Sequence, residues 1–158
     1  LAARSRNLFT LSGLHTATVA LLDGVEEEEP AQLVERASEF WTLVAEQFPQ
    51  WQQVQRAEIT AGGVRQDFIH THSVILHALG IVGNTLLTDV PEDDWAGILS
   101  RLQSIDWRRN ATDTWEGKAM TGGRVAKNRA NVQLTSDYIA GVLGLDQTSR
   151  TRRIGAHA

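Results

Sequence analysis

Six cations crowd the segment 108–129: Arg108, Arg109, Lys118, Arg124, Lys127 and Arg129, facing Asp106, Asp113 and Glu116 as local counter-charges. Guanidinium and ammonium groups at this density suit phosphate oxygens. Asn110, Asn128, Asn131 and Gln133 add neutral donors of the kind that contact phosphates and base edges. The six cations are therefore candidate nucleic-acid contacts, with a docking surface for another domain as an equal alternative. Trp107 and Trp115 offer π-faces for stacking bases. Tryptophans flanking loops in helical domains more often plug the core, and packing is the expectation for both.

Other chemistry finds less support. His70, His72 and His77 fall on one expected helix, where His70 and His77 share a face and His72 points the opposite way. A helical metal pair needs a spacing of three or four, which these histidines lack, so no metal site is expected. Asp67 and His70 have the spacing of a helical hydrogen bond, which orients a catalytic imidazole or satisfies a half-buried one; structural histidines are the expectation. Ser73 lies in HTHSV without a nucleophile elbow. TGGRVAK pairs glycines with cations but lacks the GxxxxGK[ST] spacing, and reads as a glycine turn. No catalytic residue, cofactor or assembled active site emerges.

Charge is distributed unevenly. Residues 1–100 hold five Arg/Lys against fourteen Asp/Glu, whereas residues 101–158 hold ten against five, a split hidden by the net charge of −4. Such asymmetry raises the question of an anionic partner, nucleic acid above all. With no cysteine, disulfides, thiolate catalysis and cysteine-based zinc sites are excluded. No apolar run approaches the roughly 20 residues of a spanning helix. The start, LAARSRNLF, has neither an initiator Met nor a signal-peptide layout, and the chain is expected to be the C-terminal part of a longer cytoplasmic protein.

The elements that must position these residues are helical. The pattern predicts an all-α fold: one helical domain over 1–146, of four to six helices around a long central apolar helix, with a basic, loop-rich C-terminal third. The first helix, Thr10 to Leu22, carries a stripe of Leu11, Leu14, Thr18, Leu21 and Leu22. The acidic run before Pro30 reads as a charged helix entrance. The second helix, Pro30 to Gln47, is amphipathic through Leu33, Val34, Ala37, Phe40, Trp41 and Val44, and Pro49 ends it. The central helix is expected over Val64 to Leu87. A fourth buries Trp95, Ile98, Leu99, Leu102 and Ile105. A last short helix is expected from Thr135 or Ser136 to the stop at Gly144, and Val125 to Leu143 also admits a helix-turn-helix reading. Residues 147–158 are expected to form a disordered tail.

The segments HTHSVILHALGIVGNTLL, IDW and WEGKAMTGGRVAKNRANVQLTSDYIAGVLGL resemble the C-terminal region of DndB-like proteins, the DGQHR-domain family associated with bacterial DNA phosphorothioation. The likeness spans roughly Asn7 to Leu145. It implies a bacterial cytoplasmic protein working with DNA sulfur modification genes, in a family whose namesake is regarded as a transcriptional regulator. The DGQHR motif itself is absent from this sequence, so the resemblance implies an N-terminal DGQHR domain elsewhere in the parent protein.

Three functions follow as expectations. The first is a DNA-contacting, regulatory helical domain using the six cations. The second is a scaffold docking on the N-terminal DGQHR domain or a partner protein, with homo-oligomers possible and no membrane partner. In the third, Asp67, His70 and His77 contribute to a composite nucleotide- or DNA-processing site.

Overall fold

The computed structural model describes residues 1–26 and 29–145, and within them the chain is helical with one two-stranded hairpin. Four long helices carry the architecture: α1 (Leu11–Leu22), α2 (Pro30–Glu46), α5 (Ser73–Asp89) and α8 (Arg129–Leu143). Four shorter ones link them: α3 (Pro49–Gln55), α4 (Ala61–Asp67), α6 (Trp95–Leu99) and α7 (Thr112–Trp115). A 3-10 segment, Ser100–Ser104, extends α6, and strands β1 (Met120–Thr121) and β2 (Arg124–Val125) form the hairpin. The expected tail and two residues of the acidic run, Glu27 and Glu28, lie outside the described residues.

Helix α5 is the centre, buried at every position from Val74 to Leu87 except His77. Helices α1, α2 and α8 pack around it. Its closest neighbour is α1, through a seam of small residues. A Cβ placed on Gly80 would stand 2.2 Å from the Ala17 carbonyl oxygen, so the two backbones touch directly. This corrects part of the expected stripe on α1: Leu21 is buried as expected, whereas Leu11 and Leu14 face outward. Its buried face is Gly13, Ala17 and Leu21, while Leu11 is 84% exposed. Backbone proximity selects the small-residue face over the more apolar one, because Leu side chains would hold the helices apart. The amide of Asn84 then donates to the carbonyls of Leu21 (2.9 Å) and Asp23 (2.7 Å), satisfying the C-terminal end of α1 from within the core.

The expected helix from Val64 to Leu87 is broken. Helix α4 ends at Asp67, Phe68 is extended at φ −122°, ψ 150°, and α5 begins at Ser73. The break is caused by pairing with a distant segment. Phe68 and Arg108 form an antiparallel bridge, the Ile69 N–H donates to the Trp107 carbonyl (2.9 Å), and the Arg109 N–H donates to the Asp67 carbonyl (2.8 Å). His70 and His72 therefore sit in a loop between helices, and the shared His70–His77 face does not exist.

Helix α8 also departs from expectation, starting at Arg129 with Asn128 as its cap, the side chain accepting from the Asn131 N–H. Its first two turns bury polar groups that hydrogen-bond locally, so apolar periodicity concealed them. The Asn131 amide donates to the Lys118 carbonyl (2.5 Å), and the Thr135 hydroxyl to the Asn131 carbonyl (2.7 Å). The stop at Gly144, left-handed at φ 73°, is as expected. A hairpin, not a helix, precedes α8, and the helix-turn-helix reading falls with it.

Candidate functional site

The six predicted cations occupy three different environments. Arg124, Lys127 and Arg129 are exposed on β2, the link after it and the first residue of α8. None forms an ion pair with a carboxylate among the described residues. Arg108 is exposed too, but its guanidinium grips Asp106 through Nε (3.0 Å) and Nη2 (2.6 Å). That side-chain pairing, with the backbone N–H of Arg108, holds the Asp106 carboxyl down at about 2. Lys118 is half-buried, donates to the Thr114 carbonyl (2.9 Å) and lies 5.0 Å from the Tyr138 ring centroid. Arg109 is half-buried in the wall of a cleft. The fold thus leaves three of the six, close in sequence, as open cations.

The glycine turn between β1 and β2 has Gly122 at φ +60° and Gly123 at φ +74°, the conformation that a tight two-residue hairpin requires. Its two outward N–H groups are already occupied. The Glu116 carboxylate accepts from Gly122 and, at 3.1 Å, from Gly123. A carboxylate seated on this pair of donors blocks them from a phosphate, so the turn presents cations at its flank and not an anion nest at its tip.

Trp107 and Trp115 are core residues, stacked on one another with ring centroids 5.3 Å apart and 8% and 0% exposed. Their indole N–H groups donate to the carbonyls of Leu102 (2.9 Å) and Asp106 (2.8 Å), which anchors the segment carrying Arg108 and Arg109. Neither ring is presented for base stacking.

The histidines divide similarly. His70 is fully buried among Phe48, Phe68, Trp51 and Trp107. Trp51 Nε1–H donates to His70 Nδ1 at 3.0 Å, and His70 Nε2–H donates to Gln50 Oε1 at 3.2 Å. An indole can only donate, so Nδ1 is unprotonated and the imidazole is neutral. Burial, with the neighbouring His72, pushes its pKa down to about 3. The predicted Asp67 partner is not used, because the loop turns His70 toward α3. His72 is the cap residue of α5, with Nε2 on the Arg65 carbonyl (3.1 Å). Burial lowers its pKa, opposed by the hydrogen bond to the Arg65 carbonyl and joined by the Arg109 and Arg65 charges. His77 lines a separate groove with His15 and Asp23. Among the described residues no cluster of three or more His, Asp or Glu is arranged to hold a metal ion.

Sequence reasoning missed the cleft beside Arg109, into which Thr10, Thr60, Thr71 and Ser73 also face as lining residues. A signal was present: T-x-x-G occurs at Thr10–Gly13 and at Thr60–Gly63. In both, the threonine hydroxyl accepts the glycine N–H to start a helix, at 3.0 and 3.1 Å.

No helix among the described residues is long and apolar enough to cross a membrane. No curated protein and no solved structure matches the chain. A family model does match, over residues 1–146, and its description is DNA-sulfur modification-associated. That match covers the helical core, the paired break before α5 and the basic hairpin alike: the chain belongs to the DndB family of DNA-sulfur modification-associated proteins.

Proposed function

We propose that this chain is a DNA-contacting, regulatory helical domain of the DNA sulfur modification system. The observation that carries the reading is the group formed by Arg124, Lys127 and Arg129: exposed, close in sequence across the hairpin exit and the α8 start, and unpaired with any described carboxylate. Cations left free in an acidic chain are available to displace counterions from a phosphate backbone. Arg108 and Arg109 flank the group from the neighbouring segment and add to it when their present environments open.

Duplex affinity of the 158-residue chain should fall steeply with salt, by about 0.9 log units per log unit of salt for each phosphate neutralised. Joint alanine replacement of Arg124, Lys127 and Arg129 should flatten that slope by up to ~2.7 while leaving Tm essentially unchanged, since all three are exposed. A slope identical to that of the unmodified chain sinks the proposal.

A second reading, docking onto an N-terminal DGQHR domain, draws on α1, whose outer face shows Leu11 at 84% and Val19 at 57% exposure. It predicts negligible duplex binding by the chain at physiological salt, and tight association with that domain supplied separately.

A further inference from the structure

The cleft of about 720 Å³ beside Arg109 has a composition at odds with the rest of the molecule. Its walls include Arg65, Arg109, His72, Ser73 and Thr71 but no carboxylate, in a chain where acids outnumber bases by 19 to 15. Asp67 lines the neighbouring groove instead. The positive end of α5, one of the two longest helices, opens into it. No side chain caps that end, so the N–H groups of Ser73 and Val74 lack the carbonyl partner that the Ile75 N–H finds in His72 (3.0 Å).

The bases differ in how they are engaged. Arg65 is a clip: it donates to the backbone carbonyls of Ala2 (2.9 Å), Ala3 (3.3 Å), Ser5 (3.2 Å) and Asn7, keeping its charge at the wall while its donors are used. Arg109 has no hydrogen-bond or ion-pair partner for its guanidinium among the described residues. The independent sign of a ligand is Thr71. It is 4% exposed, it lines the cleft, and its hydroxyl is one of two buried side-chain polar groups with no partner among the described residues, the other being the Trp41 indole N–H. A buried hydroxyl left unpaired costs the fold free energy, and hydroxyls in native proteins are rarely left so.

We propose that this cleft binds a phosphate group, held by the Arg109 guanidinium, the hydroxyls of Thr71 and Ser73, and the backbone N–H groups that open α5. The volume accommodates a nucleotide-sized molecule around the phosphate. The same oxyanion chemistry is offered by the backbone of DNA. The site is distinct from the Arg124, Lys127 and Arg129 surface and does not rest on it.

Inorganic pyrophosphate is the probe, titrated into the 158-residue chain and followed by 31P line broadening and by Tm, against sodium chloride at matched ionic strength. Pyrophosphate should raise Tm where chloride does not. Thr71→Val, which removes the unpaired hydroxyl at nearly constant shape, should keep or raise the ligand-free Tm and weaken pyrophosphate binding roughly tenfold, as loss of a hydrogen bond to a charged group does. Arg109→Ala should weaken it at least as much; the backbone bridge at 108–109 does not use that side chain. Undiminished pyrophosphate affinity in both variants, or a Tm rise that chloride reproduces, overturns the site. Fluorescence anisotropy with a labelled duplex separates the sources. If Thr71→Val weakens duplex binding and pyrophosphate competes with the duplex, the phosphate belongs to DNA. If duplex binding is untouched while pyrophosphate binding is lost, the ligand is a small phosphorylated molecule. The Arg124, Lys127 and Arg129 variant should retain pyrophosphate binding, so failure of one assignment leaves the other standing.

Discussion

The Trp51 indole donates to Nδ1 of His70 at 3.0 Å across 19 positions of sequence, and this contact ties α3 to the loop that interrupts α4 and α5. His70 is held neutral between that indole and the Gln50 amide oxygen, with the Phe68 ring stacked 5.1 Å away. The loop in turn sets Thr71, His72 and Ser73 around the start of α5. One buried imidazole thereby orders the wall of the cleft.

Stability should consequently depend on acid. His70 takes up a proton near its ordinary 6.5 when unfolded but only near 3 when folded. Between these values the unfolded chain binds more protons, so stability is complete above pH 6.5 and falls as pH drops toward 3. The slope contributed by His70 approaches about 1.4 kcal/mol per pH unit. Burial lowers the His72 pKa as well, which adds in the same direction. Urea unfolding across pH 4 to 7 measures the slope, and His70→Gln should reduce it by about one proton. An equal slope in that variant would show that His70 is not the group responsible.

Gly80→Ala should be strongly destabilising although alanine is the better helix former, since its Cβ would meet the Ala17 carbonyl at 2.2 Å. Backbone cannot swing aside as a side chain can, and a loss of about 1–3 kcal/mol is expected. Gly97→Ala is the control, because nothing lies within 4 Å of the added atom. Chemical denaturation of the pair should move in opposite directions.

Asp106→Asn should strengthen duplex binding. Arg108 is held by Asp106 at 2.6 Å, and loss of the carboxylate charge releases a fourth open cation toward phosphate. The salt slope should steepen by up to ~0.9 with little change in Tm. Unchanged duplex affinity would remove Arg108 from the interface.

Glu116→Ala should loosen the hairpin tip by freeing the N–H groups of Gly122 and Gly123. The expected cost is about 1 kcal/mol, read as faster amide exchange at those two glycines. Exchange as slow as in the unmodified chain would show that the turn holds without its carboxylate.

Much of this architecture is written locally. Pro30 and Pro49 at first-turn positions, the caps at Thr10 and Thr60, and Gly144 past the end of α8 act over one helical turn, so residue types alone announce them. The basic character of 108–129 and the core role of Trp107 and Trp115 are legible in the same way. Three features are not. The break at Phe68 arises from hydrogen bonds to Trp107 and Arg109, nearly forty positions away, and nothing in the local apolar rhythm signals it. The buried face of α1 is chosen by the approach of Gly80, which lets small residues win over leucines. The six cations look equivalent in sequence, yet Arg108 is taken by Asp106 two positions away, Lys118 lies half-buried against the distant Tyr138 ring, and Arg109 is placed beside an unpaired Thr71 hydroxyl. Sequence by itself determined the helical class, the family and which residues carry charge. Tertiary structure alone decided which of those charges are free, because a charge is available only when no folded neighbour has taken it.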